Sequence, residues 1–339
     1  MNRFLALPTT ERRQLREEAA ARLGLDAASP EKDFWVCWTL REPFSIPEIG
    51  GHLTFKGGTS LSKGWRLIER FSEDVDVVVD REYLGFVGER TPERASSNRE
   101  RERRLEAVVE ACRSLVKGSL RRALHERCQT SMPATSDWEL SEDPDDADGQ
   151  TLLLRYPTAF PAGGYLRRVV KIELGARSDT EPSLHPTIRP YLAQALPGEI
   201  PDSDTVLRAV APERTFWEKA MLLHEEIYIA GAAGPKARLS RHYYDLWCLI
   251  RAGVSDRAAA DRALFGRVAE HRRLFFRRKR EAQDALRPGL LRLVPPEAQL
   301  SHWRRDYEAM REAMFFREPP TFDEVLRLVG EFQDRFNGR

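Results

Sequence analysis

The chain has 339 residues, of which 32% are charged, and its 54 lysines and arginines almost balance its 53 aspartates and glutamates. A chain of this length accommodates two domains, or one core with a helical extension. We expect a cytoplasmic protein with no membrane segment, because the first residues lack a signal-peptide pattern and no apolar run approaches the roughly 20 residues that span a bilayer.

The cysteines exclude two further classes of protein. No pair of them has the C-x-x-C spacing of a zinc or redox site, and each lies in a helix-like context. We therefore predict buried thiols in a reducing compartment, and neither disulfides nor zinc ligands. The four residues are Cys37, Cys112, Cys128 and Cys248.

The first predicted elements are two helices with a structural role. Residues 9–24 have an amphipathic pattern, and a second helix starts at Ser29 and Pro30, because the first turn of a helix does not need the N–H that proline lacks. The apolar side of the second helix consists of Phe34, Trp35, Trp38 and Leu40. We expect both helices to pack against a sheet.

A strand, a glycine turn and a helix are predicted next. The short apolar segment 53–55 has the pattern of an inner strand. Gly57 and Gly58 allow a tight turn that presents backbone N–H groups. Thr59 or Ser60 can cap the helix that follows, and the N-terminus of a helix favours phosphate. The apolar face of this helix would be formed by Leu61, Trp65 and Ile68.

A second strand over 74–79 carries two carboxylates. Side chains alternate across a strand, so Asp74 and Asp76 point the same way and the valines between and after them point to the other face. Two adjacent carboxylates are costly unless a cation lies between them, and Mg²⁺ suits such oxygen ligands. The alternative is a surface strand with solvated aspartates, which the run of valines disfavours because it indicates burial.

The order of these features indicates a reaction class. A glycine turn that binds phosphates, followed by a pair of carboxylates that binds metal ions, is typical of nucleotidyl transfer. The turn is not a Walker A loop, because no Gly-Lys-[Ser/Thr] closes it, and it does not have the G-x-G-x-x-G spacing.

The central part of the chain contributes one further acidic candidate. Strands are predicted at 137–140 and 151–156, joined by an acidic loop, and a third over 166–175. In this third strand, Glu173 lies on the same face as Lys171, with which it can form an ion pair.

A helix predicted over 213–229 carries Lys219 on the shoulder of its apolar stripe. From that position a lysine can reach a phosphate, or it can extend to solvent or pair with Glu226. The spacing alone favours the second interpretation.

The next helix begins near Arg238 and places Arg238, Arg241 and Asp245 on one face. One interpretation is an exposed Arg241–Asp245 pair, which stabilises a helix by only a few tenths of a kcal/mol. So small a benefit does not explain three charged groups among so many aromatic residues, and we therefore favour a functional site.

The most basic run of the chain is His271–Arg280, within a helix predicted over 264–285. We expect its two phenylalanines to face inward and its arginines to contact nucleic acid phosphates; the alternative is a solvated face. The arginines concerned are Arg272, Arg273, Arg277 and Arg278.

Two segments, Phe55–Leu61 (FKGGTSL) and Arg70–Asp76 (RFSEDVD), resemble the signature of the AbiEii-type nucleotidyltransferase toxins of the DNA polymerase β-like superfamily. The resemblance extends over nearly the whole chain, to Glu31–Trp35, Glu218–Lys219, Tyr244–Leu246 and Trp303–Tyr307. It implies a mixed α/β nucleotidyltransferase core with N-terminal helices over 1–210, and a helical C-terminal lobe over 211–339 that contributes lysine and aspartate site residues.

The resemblance also implies roles for individual residues. The metal ligands would be Asp74 and Asp76, with Glu173 as a third carboxylate from a neighbouring strand. The nucleotide would be bound by Gly57, Gly58, Thr59, Ser60, Lys219 and Arg241. The catalytic residues would be Asp74, Asp76, Lys219 and Asp245.

The implied function is that of a toxin in a toxin–antitoxin or abortive infection system. It would use Mg²⁺ and a nucleoside triphosphate (NTP) to add a nucleotide to the 3′ end of tRNA, and an antitoxin protein would be its partner. Two alternatives are nucleotidylation of a protein hydroxyl and a nucleotide- or RNA-binding module without turnover. The paired aspartates argue against the last, because binding without turnover does not require them.

Overall fold

A computed structural model describes residues 1–26, 28–70, 74–133, 136–158, 168–230, 236–276, 278–315 and 318–339. The chain forms two compact units, one of Met1–Gly64 with Glu73–Ala209 and one of Trp65–Ser72 with Val210–Arg339. The short segment Trp65–Ser72 therefore groups with the C-terminal unit, although it lies between two elements of the first unit in the sequence.

A mixed sheet of seven strands, counted over the described residues, is the framework of the first unit. Its order is β3-β4-β5-β2-β1-β9-β6, and β7 pairs with β8 in a separate ribbon. Strand β1 is antiparallel to β2, and β2 is parallel to β5. The strands are β1 (Leu53–Lys56), β2 (Asp74–Val79), β3 (Glu139–Glu142), β4 (Thr151–Arg155), β5 (Val169–Gly175), β6 (Ser183–Leu184), β7 (Thr187–Ile188), β8 (Thr205–Val206) and β9 (Ala209–Val210). This arrangement confirms the mixed α/β core expected from the sequence.

Helices of the first unit pack around this sheet, and α3 contacts β2 and β5 as well as α2, α6 and α7. The helices are α1 (Asn2–Leu5), α2 (Thr9–Leu23), α3 (Ala28–Phe44), α4 (Gly57–Thr59), α5 (Asn98–Leu115), α6 (Arg121–Ser131) and α7 (Tyr191–Ala195). A π-helical turn, Ser60–Gly64, continues α4, and another, Val116–Leu120, joins α5 to α6. The predicted N-terminal helices and the predicted β3–β4 hairpin are confirmed.

Helix α3 is buried along nearly its whole length, and its buried charged residues have polar or charged partners. Glu31 binds Arg16, Lys32 donates a hydrogen bond to a backbone carbonyl of β5, and Asp33 binds Lys63 at 2.5 Å. Each charge has a partner because an unpaired charge inside a protein is costly. The Glu-Lys-Asp triplet of the sequence is thus an internal anchor between α3 and the surrounding elements.

The helix predicted after the glycine turn is shorter than expected. It ends at Gly64, so Trp65 and Ile68 do not extend its apolar face. Arg66 adopts a φ of 53°, in the left-handed region, where a right-handed helix cannot continue. The prediction of one helix through Ile68 is therefore wrong.

The strand predicted over 166–175 begins at Val169 among the described residues, and residues 159–167 lie outside them.

The second unit is helical. Its elements are α8 (Pro212–Ile229), α9 (Arg241–Arg251), α10 (Val254–Ala260), α11 (Arg262–Phe275), α12 (Arg280–Asp284), α13 (Glu297–Met314) and α14 (Phe322–Asn337). Helix α8 contacts α9, α10, α11 and α12, and it begins with a proline at its first turn. The predicted inner stripe of α8 is buried and consists of Phe216, Ala220, Leu223 and Ile227. Trp217 packs edge-on against Phe265 with ring centroids 4.8 Å apart.

The basic run is not one continuous helix, because α11 ends at Phe275. Arg272 is only 7% exposed and binds Glu225 of α8 through two hydrogen bonds, so the expectation that it contacts nucleic acid is wrong. Arg273 is exposed and pairs with Glu270 at 2.8 Å. Arg278 lies 3.4 Å from the same Glu225, and Arg277 lies outside the described residues.

All four cysteines are free; three are buried and Cys248 is half-buried, in agreement with the prediction of unpaired thiols. Burial raises the pKa of the Cys112 thiol to about 12, which keeps it protonated and unreactive at neutral pH. Within the described ranges, no helix has both the length and the apolar character needed to cross a membrane.

Candidate active site

The glycine turn and the carboxylate strand meet directly in the first unit. Strands β1 and β2 pair so that Lys56 lies opposite Asp76, and the turn follows at once at Gly57. Gly57 has a φ of 81°, and a Cβ atom on it would lie 2.0 Å from Oδ2 of Asp76. Glycine is therefore required twice here, for the backbone conformation and for the close approach of the carboxylate.

The hydroxyl groups of the turn are bonded within the protein. Thr59 Oγ1 donates to the backbone carbonyl of Asp74, and Ser60 Oγ donates to the carbonyl of Gly57 at 2.9 Å. Both side chains are buried, whereas Gly58 is half-buried. The expectation that one of them caps the helix from its N-terminus is wrong, because both lie within the helical turns. The first of these bonds fixes the turn against the start of β2.

The two aspartates lie on one face of β2, as predicted from the alternation of the strand. Asp74 and Asp76 are half-buried, whereas Val75 and Val77 are buried on the other face. In the pairing with β5, Asp76 lies opposite Glu173.

The carboxylate of Glu173 is held by Lys171, whose Nζ lies 2.9 Å away. Lys171 also pairs with Asp143 at 3.2 Å. Burial alone would lower the pKa of Lys171, but the two carboxylates outweigh it and raise the pKa above its ordinary value. The Lys171–Glu173 ion pair considered from the sequence is thus present. The role of Glu173 as a metal ligand stays a prediction.

The donor set fits Mg²⁺ that is shared with a substrate. No group of three or more histidine, cysteine, aspartate or glutamate side chains suited to a metal ion occurs among the described residues. Mg²⁺ is commonly held by one or two carboxylates together with substrate phosphates and water, and does not need a complete cage of protein ligands. Asp74 and Asp76 beside the glycine turn satisfy that requirement.

The second unit contains a buried cluster of charges built on α8, α9 and the segment before β2. Arg70 donates to both carboxylate oxygens of Asp245, from Nε at 2.7 Å and from Nη2 at 2.8 Å. Lys219 Nζ lies 2.9 Å from Oδ2 of the same carboxylate. The exposed fractions of the three residues are 3%, 0% and 6%. Burial alone would raise the pKa of Asp245, but Arg70 and Lys219 outweigh it and hold the pKa well below its ordinary value.

Lys219 therefore neither extends to solvent nor pairs with Glu226, which were the two structural roles considered from its position in the sequence. Burial lowers the pKa of Lys219 below its ordinary value, Asp245 opposes this effect, and Arg70 adds to it. The half-buried Arg241 adds a further positive charge near the lysine. The cations that bind the Asp245 carboxylate are Arg70 and Lys219, which replace the Arg241–Asp245 pair considered from the sequence.

A comparison with known protein families identifies the family of the chain. The model of the AbiEii family, described as nucleotidyl transferase toxins of type IV toxin–antitoxin systems, matches residues 38–328. The chain belongs to this family. It is accordingly a nucleotidyltransferase toxin of a type IV toxin–antitoxin system. One similar solved structure is that of MenT4, a nucleotidyltransferase toxin from Mycobacterium tuberculosis H37Rv. Its sequence is 18% identical to this chain, the match covers 94% of this chain and 88% of MenT4, and the TM-score is 0.47. No curated protein matches the chain.

Two residues that contact Asp245 or Lys219 in this AbiEii-family chain are not indicated as site residues by the sequence. The sequence indicates Arg70 only as part of the RFSEDVD segment, because a separation of 175 residues from Asp245 hides their pairing. The second is His242, whose Nδ1 lies 3.4 Å from Lys219 Nζ. The position of His242 three residues before Asp245 could have indicated that the two side chains lie together, since residues at this spacing share a face of a helix.

The start of α9 is held by another residue of the family resemblance. Asp306 accepts hydrogen bonds from the backbone N–H groups of Arg238 and Ser240, the second at 2.8 Å. These bonds fix the first turn of the helix that carries Asp245, so this part of the resemblance has a structural explanation.

Proposed function

We propose that this AbiEii-family toxin transfers a nucleotide from an NTP to the 3′ end of tRNA in a Mg²⁺-dependent reaction, and that the modified tRNA no longer supports translation. The observation that supports the proposal most directly is the contact between the Asp76 carboxylate and Gly57. It brings a carboxylate pair next to a turn that can bind phosphate, as nucleotidyl transfer requires.

In this proposal the first unit binds the metal and the triphosphate. Asp74 and Asp76 would hold the metal, which would supply positive charge to lower the pKa of the attacking hydroxyl and to neutralise the leaving pyrophosphate. The backbone N–H groups at Gly57 and Gly58 bind the triphosphate, because the Thr59 hydroxyl already donates to Asp74. Glu173 would act as a third ligand through a carboxylate of which Oε1 lies 2.9 Å from Lys171 Nζ.

Lys219 is proposed to neutralise phosphate charge during the same reaction. An ammonium has three N–H donors, so it can bind Asp245 and still donate to a phosphate oxygen. Asp245 acts through the lysine, because its two oxygens are engaged by Arg70 and Lys219. Arg241 is proposed to add positive charge toward the nucleotide.

The partner is proposed from membership of the family, and the tRNA acceptor from the resemblance of the sequence. Type IV toxin–antitoxin systems include an antitoxin, and we propose that a cognate antitoxin protein prevents the toxicity of this chain. Expression without that partner should arrest growth, which is the expected behaviour of an abortive infection system. A protein hydroxyl as the acceptor, and binding without turnover, are the competing outcomes.

The decisive experiment incubates the purified chain with each α-³²P-labelled NTP, total RNA or total protein, and Mg²⁺. We expect label in the tRNA fraction from wild type and none from Asp76→Asn, which is nearly isosteric but lacks the anionic ligand. The double variant Asp74→Asn/Asp76→Asn should lose little more than either single variant, because groups that act as a unit are not additive. Glu173→Gln tests the third ligand by its effect on the Mg²⁺ concentration required.

Other outcomes separate the alternatives. Label in protein alone would replace the tRNA acceptor, and no label from any NTP would favour a binding module. Normal Mg²⁺-dependent transfer by Asp76→Asn would refute the metal assignment. Growth arrest by wild type and by Asp76→Asn alike would show that toxicity does not come from catalysis.

A further inference from the structure

Helix α9 directs two side chains toward the ammonium group of Lys219. His242 and Asp245 are three residues apart and share one face of the helix. Lys219 Nζ lies 2.9 Å from Asp245 Oδ2 and 3.4 Å from His242 Nδ1. The second distance is at the long end for a hydrogen bond.

The contact with Lys219 determines which tautomer the neutral His242 imidazole adopts. An ammonium only donates, so Nδ1 of His242 must carry a lone pair and the ring proton must lie on Nε2. Among the described residues, Asp245 and His242 are the acceptors of the Lys219 ammonium. They use two of its three N–H groups, and the third is left for an oxygen atom of a substrate.

We propose that His242 is a positioning residue, which acts with Asp245 to fix the Lys219 ammonium so that its third N–H points to a phosphate of the NTP. This inference rests on the phosphate-binding role proposed for Lys219. Without the imidazole, one acceptor remains and the ammonium can rotate about it. The consequence is weaker binding of the triphosphate and weaker stabilisation of the charged lysine.

The surrounding charges keep His242 neutral. Burial lowers the pKa of His242 well below its ordinary value, Lys219 and Arg241 lower it further, and Asp245 opposes them with less effect. Arg70 is the remaining charged group that acts on both the histidine and the lysine. The imidazole is therefore an acceptor throughout the neutral pH range. An acceptor stabilises the ammonium form of Lys219, so its removal should lower the pKa of the lysine.

The test compares His242→Asn with His242→Leu. The Oδ1 atom of asparagine can take the place of Nδ1 as an acceptor, whereas leucine fills similar space without one. The first measurement is the pKa of Lys219, from the ¹³Cε chemical shift during a pH titration, with Lys219→Met to assign the signal. The second is the KM of each NTP in the transfer reaction, together with the alkaline limb of kcat/KM.

We expect His242→Leu to lower the pKa of Lys219 and to move the alkaline limb of kcat/KM to lower pH. The KM for NTP should rise about tenfold or more, which is typical for the loss of a hydrogen bond to a charged group. His242→Asn should stay within about threefold of wild type, well below the effect of losing that bond. His302→Leu is the matched control, because His302 is also half-buried in the second unit and its Nδ1 faces Arg305 at 2.9 Å. It should leave both measurements unchanged.

An unchanged Lys219 pKa in His242→Leu, or equal losses in the leucine and asparagine variants, would overturn the inference. The chemical shift is measured without turnover, so it decides the matter even if no NTP is transferred. If Lys219→Met kept the wild-type KM, the proposed role of Lys219 would fail, and the inference with it. If Lys219→Met lost NTP affinity but His242→Leu did not, the inference alone would fail.

Discussion

The contact between Gly57 and Asp76 provides a direct test of the proposed metal site. In Gly57→Ala, the new Cβ would lie 2.0 Å from Asp76 Oδ2, whereas ordinary van der Waals contact begins at 3.4 Å. The carboxylate must therefore move by at least about 1 Å, and a misplacement of that size in an active site costs about a hundredfold in rate. The φ of 81° adds roughly 1–2 kcal/mol of backbone strain for alanine.

The two effects differ in size and can be measured separately. A loss of 1–2 kcal/mol should lower the melting temperature by only a few degrees, so the variant stays folded at 25 °C. Its kcat for transfer from NTP should fall about a hundredfold, and the Mg²⁺ concentration for half-maximal rate should rise. Gly51→Ala is the control, because Gly51 is exposed, has no atom within 4 Å of a new Cβ, and does not have a positive φ.

A second variant makes the result specific to the carboxylate. If the loss in Gly57→Ala arises from displaced Asp76, combining it with Asp76→Asn should add little to the effect of either change. A folded Gly57→Ala protein with wild-type kcat and Mg²⁺ dependence would refute this prediction. The result would show that transfer does not require the Asp76 carboxylate in its position against Gly57. Full additivity would indicate that Gly57 acts independently of Asp76.

Two further predictions concern stability in the second unit. Arg272→Ala should lower the free energy of unfolding by about 1.5–3 kcal/mol, because buried Glu225 loses two hydrogen bonds and keeps, among the described residues, only Arg278, at 3.4 Å. Arg273→Ala should change the free energy of unfolding by less than about 1 kcal/mol, because its pair with Glu270 is exposed. Urea denaturation distinguishes the two variants, and equal effects would contradict the burial of Arg272. The pKa of Asp245 is lower in the folded protein than in the unfolded chain. The ionised carboxylate therefore contributes its full stabilisation above the unfolded pKa of about 4. This stabilisation is lost as the pH falls toward the pKa of the folded protein. Stability measured from pH 6 to 3 should therefore fall more steeply in wild type than in Asp245→Asn. Parallel curves would show that Arg70 and Lys219 do not lower the pKa of the Asp245 carboxyl.

The active-site strand was predictable because the relevant information is local. The orientation of Asp74 and Asp76 follows from the two-residue period of a strand, and the buried stripe of α8 from the period of a helix. The resemblance of two short segments was enough to indicate the AbiEii family, since they carry the turn and the carboxylates in a characteristic order. These features depend on neighbours in the chain, so they could be predicted without knowledge of long-range contacts.

Contacts between distant residues had to come from the tertiary structure. Arg70 and Asp245 are 175 residues apart, and no periodicity connects them. Arg272 belongs to a run of basic residues that is typical of a solvated face, yet its partner Glu225 on another helix makes it part of the core. An isolated sequence shows which side chains are charged. The tertiary structure decides which charges meet, because the cost of burying a charge is offset only by a partner in the right position.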